Sequence, residues 1–320
     1  MTPRTAEKSR RRRGSAVHVA ASSPQADIGA PGASTSPSVE FLRWALPQLG
    51  LTWSGFQRVR RQVWRRIGHR LAELHLSDAD AYRAYLVSHP DEWAVLDSFC
   101  RISISRFLRD REVFERLARD VLPELAEHAQ HHGDGQVRAW SAGCASGEEP
   151  YSLLLLWRFE LSRRFPNVAL EVLATDADDV LLARARAARF RGSSLRELPR
   201  AWRNAAFMCS DDSFVLREEF RSSIEFRRAD LRVALPDATF DLILCRNVVC
   251  TYFGEPLQRR TLGAMLALLR PGGAFVIGKG ERLPRELPGL TDWNPDSGIY
   301  RRALALEAGA PQRNEASQWS

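Results

Sequence analysis

The chain has 320 residues, of which 44% are apolar and 9% aromatic, and it carries a formal net charge of +7 at pH 7. This composition excludes a wholly disordered chain, because enough apolar surface is present to form a core, and the length predicts about two domains. The apolar runs are short, residues 153–157 being the longest candidate. A membrane-spanning helix, which needs roughly 18 apolar residues, is therefore excluded.

The cysteine usage indicates a reducing compartment. The five cysteines are odd in number and include no CxxC pair, which argues against both a disulfide scaffold and a zinc site. We therefore predict a cytoplasmic protein without a bound metal. The histidines at 128, 131 and 132 are interpreted as part of a solvated turn, and Cys144 and Cys245 as small packing residues.

The excess of positive charge lies mostly in the first 36 residues, which contain six basic residues and two acids. This stretch is rich in Ser, Ala, Pro and Gly without periodicity, so we predict a disordered basic tail over residues 1–36. A solvated arm is the ordinary interpretation of such a tail, and contact with a polyanion or a membrane surface is the alternative. Because the remaining charge is modest, nucleic acid is not a predicted partner.

A helical N-terminal domain is predicted over residues 37–105, with helices at 56–71, 79–88 and 92–99. In the first of these, apolar residues four positions apart from Val59 to Leu71 form one stripe that faces a core. The other faces are strongly basic and are either simply solvated or a docking surface for an acidic partner. The basic side chains in question are Arg58, Arg61, Arg65 and Arg66.

Strands and helices alternate from about residue 106 to residue 302, which predicts an α/β domain with a largely parallel sheet covered on both faces. A polar, turn-rich excursion at 192–223 interrupts the alternation, and residues 303–320 are predicted to be a disordered tail. The predicted helices are 112–130, 148–164, 178–190 and 256–269. The predicted strands are 137–140, 168–174, 224–226, 240–245 and 274–278, with a last strand ending near 299–300.

The turn after the first predicted strand carries the strongest functional signal. Gly143 and Gly147 are spaced GxxxG, unlike the GxGxxG spacing that holds a pyrophosphate, and Glu148 and Glu149 follow at the helix start. Two carboxylates would repel a phosphate but suit a ligand with a cationic amine or sulfonium. This favours S-adenosylmethionine over a nicotinamide dinucleotide, with an ordinary tight turn as the structural alternative.

Polar residues follow three further strands in the same crevice. Asp176 ends the second strand, where a carboxylate can accept hydrogen bonds from ribose hydroxyls, and Asp230 follows a later strand, where it can meet an adenine. Arg246 and Asn247 follow the strand at 240–245, at the edge where open α/β sheets bind substrates. Together these residues predict one cleft with the shape of an adenosine.

These residues resemble the CheR-type chemotaxis protein-glutamate O-methyltransferases over roughly residues 40–302. The most specific elements are the string Ser-Gly-Glu-Glu-Pro-Tyr-Ser at 146–152 and Cys-Arg-Asn-Val at 245–248. The resemblance implies an S-adenosylmethionine-dependent, Rossmann-like methyltransferase domain with a small antiparallel β excursion, preceded by an all-α N-terminal domain. The weaker matching motifs are at 107–110, 140–144, 174–176, 240–241, 252–253, 269–273 and 299–300.

The resemblance also implies roles for individual residues. Arg109 is expected to assemble the catalytic site and to contact the cofactor, and the basic helix at 56–71 is expected to meet a methyl-accepting chemoreceptor or a related signalling protein. The excursion at 192–223 resembles a subdomain that some members use to grip a receptor tail. The expected cofactor contacts are Ser103, Ser105, Arg109, Gly143, Glu148, Glu149, Asp176, Asp230, Leu231, Arg246 and Asn247.

The implied reaction forms glutamate methyl esters and releases S-adenosylhomocysteine. The chain departs from the family pattern at Ser103, Ser105 and Leu108, at Thr251, and at the Gly-Lys-Gly-Glu sequence of residues 278–281. These departures keep two alternatives open: methylation of another acceptor, such as a small carboxylate or an RNA, and a non-catalytic module that binds the cofactor.

Overall fold

A computed structural model describes residues 36–210, 212–284, 287, 289–293 and 297–304. Apart from Ser36 and residues 303–304, the two predicted disordered tails therefore lie outside the described residues. Among the residues that are described, no helix combines the length and the apolar character needed to cross a membrane.

Five helices form the N-terminal part of the chain. The predicted helix at 79–88 is confirmed with the same bounds, and it begins after Asp78, whose carboxylate accepts the N–H groups of Asp80 and Ala81. The helix predicted from residue 56 begins instead at Arg60, because Phe56 ends a separate short helix and is fully buried. The five helices are α1 (Pro37–Gln48), α2 (Trp53–Phe56), α3 (Arg60–Glu73), α4 (Ala79–Ser88) and α5 (Glu92–Cys100).

The rest of the described chain forms a seven-stranded and a three-stranded sheet with eight further helices, two of which continue into a π-helical turn. The strands are β1 (Gln136–Ala142), β2 (Ala169–Asp176), β3 (Arg189–Arg191), β4 (Phe207–Ser210), β5 (Ser213–Leu216), β6 (Ile224–Arg228), β7 (Phe240–Leu244), β8 (Leu269–Val276), β9 (Leu290–Asp292) and β10 (Ile299–Arg302). The helices are α6 (Arg111–Arg116), α7 (Leu122–His132), α8 (Glu148–Leu156), α9 (Asp179–Ala187), α10 (Arg200–Ala206), α11 (Glu218–Arg221), α12 (Val249–Tyr252) and α13 (Glu255–Leu268), with π-helical turns at Leu117–Val121 and Trp157–Leu161.

The large sheet has the strand order β6-β2-β1-β7-β8-β10-β9. The first five strands in this order are parallel, and β10 and β9 each pair antiparallel to their neighbour. Successive residues of β1 point to opposite faces, so Ala139 and Trp140 belong to different hydrophobic clusters. The sheet is therefore covered on both faces, as predicted.

The N-terminal helices share one apolar core with a face of the large sheet. Phe41, Leu46 and Ile67 of these helices belong to the same buried cluster as Trp140 and Ile243 of the sheet. Burial of shared apolar surface is the main favourable contribution to packing of this kind. The boundary between residues 105 and 106, given above as the division between two domains, remains a prediction.

The predicted excursion contains a small antiparallel sheet with the order β3-β5-β4. It begins at Arg189, earlier than the predicted residue 192, so the helix predicted over residues 178–190 was too long. The helix ends at Ala187 because Ala188 adopts a left-handed conformation with φ of 47°. Phe190, the residue after Arg189, is then buried against Phe107 and Phe207.

The strand predicted over residues 274–278 begins five residues earlier, at Leu269, and ends at Val276. The Arg-Pro-Gly-Gly sequence at 270–273 therefore lies inside a strand, although its turn-forming residues favoured a loop. Gly272 has φ of 79°, and the pairing of β7 with β8 shifts register between Phe240 and Leu242. A glycine at an irregularity of this kind is consistent with its freedom to adopt positive φ.

Trp140 anchors the centre of the sheet, and its replacement tests this packing. Its side chain is fully buried, and its indole N–H donates to the Thr175 hydroxyl at 2.9 Å. We expect W140F to lower the free energy of unfolding by about 2 kcal/mol, because the buried Thr175 hydroxyl loses its donor and a small cavity remains. Chemical denaturation measures the change. The control is W64F at a half-buried indole for which no hydrogen bond is found among the described residues, and an equal loss in both variants would contradict the prediction.

Candidate functional site

A cleft lies where the carboxyl ends of β1, β2, β6 and β7 meet. From β1 the chain proceeds through β2 to β6 on one side and then returns to β7 on the other side. Open α/β sheets bind ligands at such a reversal of strand order, because the loops that follow neighbouring strands separate there. The topology alone therefore places a ligand site next to the end of β1.

Two adjoining cavities form this cleft. The first has a volume of about 130 Å³ and the second about 50 Å³. Both are lined by Ser103, Gly143 and Asn247, so the two cavities adjoin at these residues.

The turn after β1 forms the shared wall of the cavities, and its backbone is held against the end of β2. The N–H groups of Gly143 and Cys144 donate to the Thr175 carbonyl at 2.8 and 2.9 Å. Gly143 has φ of 76°, and a Cβ atom at this position would lie 2.6 Å from a methyl carbon of Val248. The close approach of this turn to the loop after β7 therefore requires a glycine.

Asp176 holds the same turn through its carboxylate. Its two oxygens accept the N–H groups of Ala145 and Asp178, each at 2.9 Å. Burial raises the pKa of this carboxyl above its ordinary value, although both hydrogen bonds act in the opposite direction. Asp176 also lines the first cavity, at the position where the sequence predicted a ribose contact.

The two consecutive glutamates at the start of α8 have different surroundings. Glu149 lines the second cavity, and its carboxylate accepts hydrogen bonds from the Ser141 hydroxyl at 2.8 Å and from Arg246 at 3.0 Å. Glu148 is buried, accepts from the hydroxyls of Ser146 and Ser194, and lines neither cavity. Of the two glutamates predicted to contact the cofactor, the structure brings only Glu149 to the cleft.

Arg246 is only 5% exposed and supports the wall of the second cavity. Its guanidinium donates to Glu149, to the Asp110 carboxylate at 2.8 Å and to the Arg109 carbonyl at 2.6 Å. The same group lies over the ring of Phe114. Most of its donors are therefore used inside the protein, and Arg246 acts mainly by fixing Glu149 and the segment that contains Arg109.

The segment before α6 covers the second cavity. Ser103, Ser105 and Arg109 all line it, as the sequence predicted, and Arg109 donates to the Ile104 carbonyl at 2.7 Å. Leu108, in the same segment, has φ of 50°, and its N–H donates to the Ser152 hydroxyl at 2.9 Å. A left-handed leucine is uncommon, so the hydrogen bond to α8 helps to hold the segment over the cavity.

Asn247 contributes to both cavities from the loop after β7, in a left-handed conformation with φ of 57°. Its N–H donates to the Glu281 carboxylate at 2.8 Å, and the same carboxylate accepts the Gly278 N–H at 2.6 Å and the Thr251 hydroxyl. Glu281 thereby fixes the loop despite the unusual Gly-Lys-Gly-Glu sequence around it.

The charged lining residues of the first cavity that were not predicted from the sequence are Asp97, Arg101 and Arg232. They accompany the predicted Asp230 and Leu231. Asp97 and Arg232 bind each other although 135 positions separate them in the chain. The only local signal was the position of Arg232, two residues after Asp230.

The basic surface predicted on the N-terminal helices is smaller than expected. Arg58, Arg61 and Arg65 are exposed, but Arg66 is partly buried and donates to the carbonyls of Phe99 and Arg101 at 2.8 and 3.0 Å. Assigning Arg66 to the outer surface was therefore wrong: it satisfies carbonyls at the end of α5, which lack helical partners.

The predictions about packing cysteines are confirmed by the burial of Cys144 and Cys245, which raises the pKa of both thiols. Within the described part of the chain, no group of three or more His, Cys, Asp or Glu side chains is arranged to hold a metal ion.

The arrangement suits a polar ligand that carries both cationic and anionic groups, because carboxylates and arginines line both cavities. Carboxylates line both ends of the cleft, with Asp176 and Asp230 in the first cavity and Glu149 in the second. They can accept hydrogen bonds from hydroxyl, amine and amide donors. Backbone and arginine partners fix these side chains before any ligand arrives, which reduces the entropic cost of binding.

The raised pKa of Asp176 predicts a pH dependence of stability. The pKa of this carboxyl is higher in the folded chain than in the unfolded chain. Its contribution to folding therefore becomes less favourable as pH rises from the unfolded pKa to the folded pKa. The asparagine of D176N does not ionise. We therefore expect the stability of D176N, relative to the unmodified chain, to improve between pH 4 and pH 7 in chemical denaturation.

The matched control is D230N, since hydrogen bonds from Arg232 outweigh burial and hold the pKa of Asp230 below its ordinary value. Its relative stability should fall as pH rises, mainly below about pH 4, because the folded pKa of Asp230 lies below its unfolded value. Both variants are therefore also measured below pH 4. A common direction in the two variants would contradict this account of Asp176.

Comparison with known proteins identifies the family of the chain. A sequence model described as the CheR methyltransferase, SAM binding domain matches residues 103–293. A chemotaxis protein methyltransferase of Listeria monocytogenes is 35% identical over 186 residues, covering 58% of this chain and 68% of that protein. A probable chemotaxis protein methyltransferase of Rhizobium etli is 34% identical over 243 residues, covering 72% and 87%. The chain therefore belongs to the CheR methyltransferase family, whose members use S-adenosylmethionine as the methyl donor.

Proposed function

We propose that the cleft binds S-adenosylmethionine with its adenosine in the first cavity and its amino-acid end in the second. The observation that carries this proposal is the pair of adjoining cavities at the carboxyl ends of the parallel strands, with carboxylates at both ends. In this proposal Asp176 accepts hydrogen bonds from the ribose, Asp230 and Leu231 contact the adenine, and Glu149 binds the cationic amine. Gly143 and Asn247 lie where the two parts of the donor join.

When bound, S-adenosylmethionine supplies a methyl group made electrophilic by its sulfonium. The chain itself contributes binding and orientation. Arg109 and the two serines of the covering segment would hold the donor and the incoming acceptor in line and exclude water. Positioning of this kind can contribute about 7–11 kcal/mol to lowering a barrier.

The acceptor that fits best is a glutamate side chain of a chemoreceptor or a related signalling protein. The unperturbed pKa of a glutamate carboxyl is about 4.3, so the group is already ionised at neutral pH and needs no general base. The names of the relatives, chemotaxis protein methyltransferase, support the same acceptor class.

The receptor would dock on the exposed arginines of the N-terminal helices, Arg58, Arg61 and Arg65. Among the described residues none of the three forms an ion pair, so their charge is available to an acidic partner. The small sheet β3-β5-β4 is the second surface proposed to contact a receptor. We place this reaction in the cytoplasm, which the unpaired cysteines favour.

The first test is methyl transfer itself. With S-adenosylmethionine carrying a tritiated methyl, the full chain should label receptor-containing membranes, and mild alkali should release the label because carboxyl esters hydrolyse there. Label that survives alkali would indicate a nitrogen or carbon acceptor. Binding of S-adenosylhomocysteine without any transfer would indicate a regulatory module.

D176A should weaken binding of S-adenosylhomocysteine about tenfold or more in calorimetry, because a carboxylate proposed to bind the ribose is lost. The control is D179A, which removes an exposed carboxylate paired with Arg228. Unchanged affinity in D176A would remove Asp176 from the proposed site.

The second test concerns receptor docking. We expect the triple variant R58Q/R61Q/R65Q to raise KM for the receptor several-fold and to reduce its salt dependence, since exposed charges act through screened attraction. Affinity for S-adenosylhomocysteine should not change. The control R163Q/R164Q/R184Q removes the same number of exposed charges outside both proposed docking surfaces. Equal effects on KM in both triple variants would exclude a specific docking surface.

A further inference from the structure

Arg232 lies between two carboxylates at the wall of the first cavity. Its terminal nitrogens donate to both oxygens of Asp97 at 2.6 and 2.8 Å. Its Nε and one terminal nitrogen donate to both oxygens of Asp230 at 2.9 and 2.7 Å. One guanidinium therefore forms a two-pronged pair with each carboxylate, a geometry that lysine cannot reproduce.

The three side chains belong to distant parts of the chain. Asp97 lies on α5 of the N-terminal helices, whereas Asp230 and Arg232 follow β6 of the large sheet. Arg101, just beyond α5, adds a hydrogen bond to Asp97 at 3.0 Å and another to the Ala177 carbonyl at 2.8 Å. The network therefore joins the N-terminal helices to the loops after β2 and β6.

The charges of this network are balanced and partly shielded from water. Asp97 is 8% exposed, and the side chains of Arg232 and Asp230 are 22% and 25% exposed. Burial would raise the pKa of both carboxyls, but the hydrogen bonds from Arg232 hold each pKa below its ordinary value. Both carboxyls are therefore ionised at neutral pH, and both line the first cavity.

Attachment of the helices does not by itself explain the position of this network. The N-terminal helices already share a large apolar core with the sheet. Replacing a buried ion pair with apolar groups is often neutral or stabilising, so such a pair is weak evidence for a role in stability. All four network residues instead line the cavity that is proposed to hold the adenosine.

We propose that Asp97 and Arg232 are positioning residues for the cofactor: Asp97 orients Arg232, and Arg232 in turn fixes the carboxylate of Asp230 at the cavity wall. The N-terminal helical part thus contributes to recognition of the methyl donor as well as to receptor docking. This inference rests on the proposed placement of the adenosine in the first cavity.

The chain offers a matched control pair. Arg70 forms a two-pronged pair with Glu92 at 2.9 and 2.8 Å, and Glu92 is 5% exposed. Glu92 lies on the same helix, α5, as Asp97, but neither member of this pair lines the cleft. E92Q therefore removes a comparable buried carboxylate without touching the cavity.

The test is calorimetric binding of S-adenosylhomocysteine to the full chain. We expect D97N to weaken binding roughly tenfold, but less than twofold when introduced into D230N, because Asp97 acts through Asp230. In methyl transfer, KM for S-adenosylmethionine should rise by the same factor, with kcat within twofold. E92Q should leave the affinity unchanged. Should D97N fail to fold, R232K is measured by the same criteria and is expected to show the same loss.

Two results would overturn the inference: equal affinity in D97N and E92Q, or a tenfold loss from D97N that persists in D230N. Failure of the unmodified chain to bind S-adenosylhomocysteine would contradict the proposed function itself, and this inference with it. Tight binding by the unmodified chain with no loss in D97N would leave the proposed function standing and remove only the role of Asp97.

Discussion

The hydrogen bonds from the Ala145 and Asp178 N–H groups to the carboxylate of Asp176 are the interaction on which the site depends. They connect the turn after β1 to the end of β2, and the left-handed Gly143 lets that turn approach the loop after β7. The carboxylate is kept in surroundings that raise its pKa. Buried carboxyls with a raised pKa are common at functional sites.

Two buried or partly buried arginines organise the opposite ends of the cleft in the same way. Arg232 holds Asp97 and Asp230 at one end, and Arg246 holds Glu149 and Asp110 at the other. Arg232 links Asp230, which follows β6, to α5, and Arg246, which follows β7, links α8 to the segment before α6. The proposed donor site therefore contains residues from both parts of the chain, and its acidic groups are held by other protein groups.

Local patterns in the sequence predicted most of the fold and much of the cleft. The hydrophobic periodicity predicted α4 with its exact bounds, and residues that follow strands predicted Asp176, Asp230 and Asn247 at one edge of the sheet. Long-range pairing could not be predicted, since nothing near Asp97 indicates a partner 135 positions away. The early end of α9 depends on the left-handed conformation of Ala188, and the burial of Arg66 depends on carbonyls at the end of α5 that lack helical partners. A helical sequence pattern reveals neither of these two features.

Hydrogen–deuterium exchange of the full chain with and without S-adenosylhomocysteine tests the location of the site most directly. The account predicts slower exchange in the ligand-bound chain at residues 143–147, 176–178 and 101–106, with exchange in α3 and in the β3-β5-β4 sheet unchanged. The first three segments enclose the two cavities, whereas the last two are assigned to the receptor. Protection confined to other segments, or no protection at the turn after β1 with the ligand bound, would contradict the proposed location of the cofactor site.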